Sequence, residues 1–389
     1  MGKKRARMGE GPAQHSLSSP RAARDRWIVL ALVLLAAAVR ARGLSASNLW
    51  LDEANSWQVA ADSWSGLFTN VLRSPLGPLY FVLLKLWISM FGASVAALRA
   101  LSLVASVALL PVVYALGARL LSRRTAIVAC ALLALSPLEL YFAQEARMYM
   151  LVSLLGAACV LAYAVWRDNR RTRWAIAYAA CGIALLFTHL VAGMLLVAIN
   201  LDAAVVLFAT RARTRDRAAW AGANVLIAAV VLLYLGSVSA GSALSSQAWR
   251  TPMGVEGALR AALLLPFESV YGQHFYPADF WVALTSLAHG SGFSRRFLEL
   301  LVVQPLVLLA FVAAIMARPR SPAPRGGRRL LTFVLVVPVL AIAIIAISRG
   351  LEFPRYLLFV VPFLFLLLAD GVLALAPGAC VASVAVVVV

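Results

Sequence analysis

The sequence predicts an all-α fold, a polytopic transmembrane helical bundle of about ten or eleven spans with interfacial helices in the first outer loop. Three observations carry this. Hydrophobic residues make up 63% of the chain and charged residues only 13%, whereas soluble domains carry roughly a quarter charged residues. The apolar residues fall in blocks near the ~20 residues that a helix needs to cross a bilayer core, and the alternating pattern of a membrane barrel is absent. The basic residues lie between these blocks, as the positive-inside rule requires. This distribution also argues against reading the net charge of +19 as a nucleic-acid surface.

Taken in order, residues 1–26 carry Lys3, Lys4, Arg5, Arg7, Arg21, Arg24 and Arg26 and read as a disordered basic cytoplasmic tail. The block 27–44 lacks a small-x-small cleavage site and reads as an uncleaved first span. Further blocks occupy 95–118, 125–142, 149–166, 174–190, 191–210, 218–238, 297–316, 330–348 and 356–376. Residues 377–389 form an apolar tail, short for a span and read as an incomplete last helix. The segment 79–91 is short and contains Lys85, and charge decides its placement. If it lies flat on the outer surface, every strongly basic connection faces inward, with 23 of the 35 Lys and Arg residues inside. The bundle then runs over 27–376, with long outer loops at 45–94 and 239–296. The expected setting is the cytoplasmic membrane, multi-pass, with the N-terminus cytoplasmic and the active site on the outer face. Cys130, Cys159, Cys181 and Cys380 lie inside apolar blocks without metal-site spacing and read as packing residues.

Three outer segments carry candidate chemistry. The first is Asn48 to Trp57, in which the adjacent carboxylates of Asp52 and Glu53 suit a general base or a solvated loop. The second, Arg73 to Tyr80, leads into the interfacial segment and alone reads as a turn before a helix. The third runs from Ser136 to Tyr149 and places Glu139, Glu145 and Arg147 near the apolar region. There a structural Glu–Arg pair and a site role weigh about evenly. His189 sits in a short turn at the same face. Arg99, Arg349 and Arg355 suit either phosphate binding or snorkelling to lipid headgroups. Asp202 and Asp370 lie deep in apolar blocks and suit interhelical hydrogen bonding. The chain has no Walker loop, dinucleotide fingerprint, HExxH or nucleophile elbow.

In order, Leu51-Asp52-Glu53-Ala54, then Pro75 to Tyr80 with Trp87 and Phe91-Gly92, then Ser136-Pro137 through Gln144-Glu145-Ala146-Arg147-Met148-Tyr149 form a pattern. This pattern resembles the GT-C superfamily of polyprenyl-phosphate-sugar-dependent glycosyltransferases, in its protein mannosyltransferase-like and aminoarabinose-transferase-like branch (glycosyltransferase family 39-type). The resemblance covers most of the chain from Trp27 to about Asp370. One departure is Ser74-Pro75-Leu76-Gly77-Pro78-Leu79, where that family often has His-Pro-Pro-Leu.

The resemblance implies transfer of a hexosyl or pentosyl group from a polyprenyl-phosphate sugar to an acceptor hydroxyl, with inversion. Asp52 would be the base and Glu53 would orient it or the acceptor. Arg147, Arg349, Arg355 and Arg99 would bind the donor phosphate, and Tyr149, Glu145, His189 and Tyr80 would support the site. The partners implied are the lipid-linked donor, a protein, lipid or glycan acceptor, and membrane lipids, without nucleic acid. The resemblance fixes no cofactor and leaves a divalent metal open, since Asp52, Glu53 and His189 could meet at one face although no ligand spacing says that they do. Two other readings stand beside this one: a lipid or solute transporter or flippase, and an inactive family member acting as a binding subunit.

Overall fold

The computed structural model describes residues 20–72, 77–237, 254–255, 326–349 and 353–375. All regular elements among them are helices. The expected span over 297–316, the outer loop 239–296 and the tail 377–389 lie outside the described residues. Within them, six helices are long and apolar enough to cross a membrane, or seven if one bent pair counts as a single span.

Helix α1 (Pro20–Ala41) begins seven residues before its apolar block, so residues 20–26 are helical rather than disordered tail. Asp25, near its start, is buried and lies 3.6 Å from Arg123. The segment that follows folds as α2 (Leu51–Ala61), α3 (Trp64–Leu72) and α4 (Pro78–Phe91). Pro78 at the first position fits the fixed φ that opens a helix, and Gly92, with φ of +80°, closes it.

Helices α5 (Val95–Leu120), α6 (Arg123–Leu135), α8 (Tyr149–Asn169) and α9 (Thr172–Leu186) form the centre of the bundle. The hydroxyls of Ser94 and Ser122 cap α5 and α6, accepting from the N–H groups of Ala97 and Thr125. Helix α8 packs against α5 and α9, and α1 lies across α5 and α6.

The apolar block 125–142 is not one straight helix. Ser136 is extended because the residue before a proline disfavours the α region. The chain therefore turns by 59° into the short α7 (Pro137–Ala143). This break strips α6 of partners for its last carbonyls, and Arg40 from α1 supplies them. Its Nη1 and Nη2 donate to Ala134 and Leu133 at 2.8 Å each, and its Nε donates to Ser106 at 2.7 Å. A fully buried guanidinium is tolerated in an apolar interior when its donors are used in this way.

The remaining described helices are α10 (Gly193–Ala209), α11 (Thr214–Ser237), α12 (Gly327–Arg349), α13 (Phe353–Leu357) and α14 (Val361–Leu375). Helix α12 packs on α10, and α14 on α6. One end of the bundle is laced by ion pairs. Arg329 donates to the fully buried Asp202 at 2.7 Å, and Asp202 also accepts from the Tyr163 hydroxyl at 2.6 Å and lies 3.4 Å from Arg167. Arg328 pairs with Asp370, which Thr125 also reaches. Asp202 and Asp370 are thus the interhelical hydrogen-bonding groups expected of deep acids. The acidic loop, the α7–α8 turn and His189 gather at the opposite end.

Candidate active site

The site is built on the first turn of α2. Asp52 and Glu53 occupy the second and third positions of that helix, where carboxylates complement the exposed N–H groups. Neighbouring residues on a helix point about 100° apart, so the two acids meet different surroundings.

Glu53 faces inward and is fully buried. Arg99 of α5 grips it with two arms, Nε to Oε1 at 2.8 Å and Nη2 to Oε2 at 2.7 Å. The Ala146 N–H donates to Oε1 at 2.8 Å, and the Trp50 N–H reaches Oε2 at 3.3 Å. The remaining arm of Arg99 is spent on the carbonyls of Leu44 and Ser47, while Nη2 also reaches that of Asn48. Arg99 is therefore a clamp on Glu53 and on the chain leaving α1. Its donors are committed within the protein, unlike those of a side chain that waits for a phosphate. Glu53 is likewise walled off from any acceptor.

Asp52 faces the open side, with 28% of its side chain exposed. Its Oδ2 is 3.2 Å from Nη1 of Arg355 and 3.8 Å from Nη2 of Arg147. Arg147 also donates to the Asp52 carbonyl at 3.2 Å and to the Ser56 hydroxyl at 3.1 Å. Ser56, one helical turn beyond Asp52, donates in turn to the Asp52 carbonyl at 2.9 Å. The Arg147 carbonyl accepts from Ser102 of α5, which fixes the turn before α8. Thus Arg147 pairs with Asp52 and not with Glu139 or Glu145, the structural pairs considered from sequence. The charged neighbour of Glu139 is instead Arg40.

Arg355, on the short α13, lies over the Trp50 ring at 5.8 Å and hydrogen-bonds the Tyr149 hydroxyl. It lines a pocket with Tyr149, Val152, His189, Tyr356, Leu358 and Phe359. The His189 and Tyr356 rings meet edge to face at 5.5 Å. Glu145 is buried beside Tyr141, with which it shares a hydrogen bond. Burial pushes its carboxyl up to about 7; the Tyr141 bond opposes this, and the charge of Glu53 adds to it. Tyr80 of α4 is buried close to Arg147 and Ser102.

The structure thus draws Asp52, Arg147, Arg355, Tyr149, His189 and Tyr80 to one end of the bundle, with Glu53, Arg99 and Glu145 behind them. Arg349 closes α12, and its side chain lies outside the described residues, as does the Arg73–Leu76 stretch. Sequence reasoning misses Ser56 and Trp50 as site residues. The helical spacing from Asp52 could have found Ser56; the Ala146 N–H, a backbone group, carries no sequence signal. Among the described residues, no three His, Cys, Asp or Glu side chains come together as a metal-ligand set. The acidic pair does not fit one either, since Asp52 faces two cations and Glu53 is fully engaged.

Residues 74–235 match the family model of dolichyl-phosphate-mannose-protein mannosyltransferases. No curated protein sequence matches the chain. The fold is similar to that of ArnT from Cupriavidus metallidurans bound to undecaprenyl phosphate, with a TM-score of 0.56 and 16% identity over 89% of this chain and 60% of that one. The apo form of the same protein gives a TM-score of 0.57 at 16% identity, over 90% and 60% of the respective chains. This chain therefore spans 60% of the length of those relatives, and the likeness is one of fold. The bundle, with its six long apolar helices, defines the class as a polytopic helical membrane protein, and its residues 74–235 are similar to the mannosyltransferase family model.

Proposed function

We propose that the protein is an integral membrane glycosyltransferase that moves a sugar from a polyprenyl-phosphate donor to an acceptor hydroxyl on the outer face of the cell membrane, with inversion. The observation that carries this reading is the contrast between the two acids. Asp52 is open and flanked by Arg147 and Arg355, while Glu53 is buried and fully bonded. A carboxylate beside two guanidinium groups is the pairing that such a transfer needs. The acceptor oxygen attacks the anomeric carbon as its proton passes to Asp52. The bond from that carbon to the phosphate oxygen breaks, and its electron pair leaves on the phosphate. Charge grows on the phosphate as this happens, and fixed cations stabilise it without a general acid.

Arg147 and Arg355 are assigned to the phosphate, with Tyr149 and His189 lining the adjoining pocket. Arg99 and Glu53 are positioning residues, because they hold the first turn of α2 against the α7–α8 turn and so set Asp52 against Arg147. The ArnT structure cited above holds undecaprenyl phosphate, which supports a lipid-phosphate donor here.

The test is a transfer assay on the purified full-length protein with a panel of polyprenyl-phosphate sugars. Transfer from at least one donor, lost in Asp52→Asn with the melting temperature unchanged, is expected. Undiminished transfer by that variant would overturn Asp52 as the base. Lipid movement across vesicles without any transfer would favour a flippase.

A further inference from the structure

Arg147 and Arg355 come from distant segments, the α7–α8 turn and α13, yet both reach the same oxygen, Oδ2 of Asp52, at 3.8 and 3.2 Å. The groups that would receive a phosphate thus already hold an anion, which offsets one of their two charges, and that anion is the side chain assigned as base. Resting on the reading above, we propose that the two arginines form one anion site with two alternating occupants, the Asp52 carboxylate and the lipid phosphate.

Three features make the exchange workable. Asp52 is the partly exposed member of the acid pair, so it can turn away from the cations into water at small desolvation cost. Its backbone need not move, because Glu53, one residue on, is clamped by Arg99 and the Ala146 N–H. Arg147 keeps its bonds to the Asp52 carbonyl and to Ser56 whichever anion is present, so that guanidinium stays aimed at the site.

The chemistry gives the exchange a direction. A sugar-linked phosphodiester carries one negative charge and displaces a carboxylate of equal charge. Its arrival releases Asp52 from the guanidinium groups, so the base is set free only when a donor is in place. After transfer the lipid phosphate is a monoester with about −1.5 to −2 charges, which two arginines hold more tightly. Once its proton has passed to water, Asp52 competes for the same cations and helps to expel that product. An empty site therefore shields its own base, and a spent site is emptied by it.

The experiment measures binding of a short-chain polyprenyl phosphate to the full-length protein in detergent. It compares wild type, Asp52→Asn, Arg355→Gln and the double variant, with the uncharged polyprenol as control. Removing the competing carboxylate is expected to tighten phosphate binding about tenfold, equivalent to one charge-assisted hydrogen bond. In the Arg355→Gln background the same substitution is expected to change affinity less than about twofold. Polyprenol binding should not respond in either case. Asp52→Ser, which also lacks the charge, repeats the measurement should Asp52→Asn fail to fold.

Unchanged phosphate affinity in Asp52→Asn overturns the exchange while leaving the phosphate site in place. Equal tightening with and without Arg355 reduces the effect to general repulsion and overturns it as well. If the wild type does not distinguish polyprenyl phosphate from polyprenol, the phosphate-site reading itself fails.

Discussion

Arg99 and Glu53, 46 residues apart in the chain, form a two-armed buried ion pair at 2.8 and 2.7 Å. Leaving either partner without the other strands a charge in a dry interior, which costs about 3–5 kcal/mol. Arg99→Met is therefore expected to lower the melting temperature sharply. Arg99→Met combined with Glu53→Gln is expected to recover part of that loss. Thermal melting of the purified variants in one detergent checks this, and additive losses in the double variant would remove the clamp from the account.

At the site, Arg355→Gln and Arg147→Gln are each expected to lower kcat about 10²–10³-fold, the usual effect of removing one fixed donor from a developing anion. Arg355→Lys keeps the charge and loses the planar fork, so it is expected to fall between Arg355→Gln and wild type. Steady-state transfer assays over a range of donor concentrations separate the kcat effect from one on KM. An effect confined to KM would make these arginines groups for ground-state binding alone.

Glu145 predicts a pH dependence. Its carboxyl is pushed from the ordinary 4.5 up to about 7, chiefly by burial. The native protein then holds a proton that the unfolded chain releases between those values. Its contribution is fully present below about 4.5 and is lost as pH rises to about 7. The loss is at most about 3 kcal/mol. Glu145→Gln cannot ionise, so its melting temperature relative to wild type should climb across that window and level off above it. Parallel pH profiles for the two proteins would contradict this.

Gly77 meets the α9–α10 turn so closely that an added Cβ would sit 2.0 Å from the Phe187 carbonyl oxygen. The opposing atom is backbone and has little room to yield, so Gly77→Ala is expected to destabilise by about 1–3 kcal/mol. Melting temperature and yield of folded protein in detergent check it.

Much of this arrangement is legible in the residues. Block length and charge alternation define the helices, and the order of Asp52-Glu53 and the Ser136–Tyr149 segment brings Asp52 and Arg147 to one end. The acids at Asp202 and Asp370 announce interhelical bonds because unpaired charge is costly there. Other features depend on contacts that no local pattern encodes. The division of labour between Asp52 and Glu53 is set by Arg99 and by a backbone N–H far along the chain. The bend at Pro137 is visible in the sequence, but its rescue by Arg40 is not, since it joins carbonyls 93 and 94 residues away. The sequence alone starts α1 too late, because Asp25 and the arginines around it look like tail without Arg123 beside Asp25.

The Leu79 N–H donates to the Phe187 carbonyl at 2.9 Å, at the crossing where Gly77 has no room for a side chain. Helix α4, against which the Asp52-bearing α2 packs, is thereby stitched to the turn that carries His189. A chimera built to change donor or acceptor preference therefore cannot exchange 45–94 as a cassette. The graft must bring residues 187–189 with it, or the transplanted loop will meet a foreign turn at its tightest point.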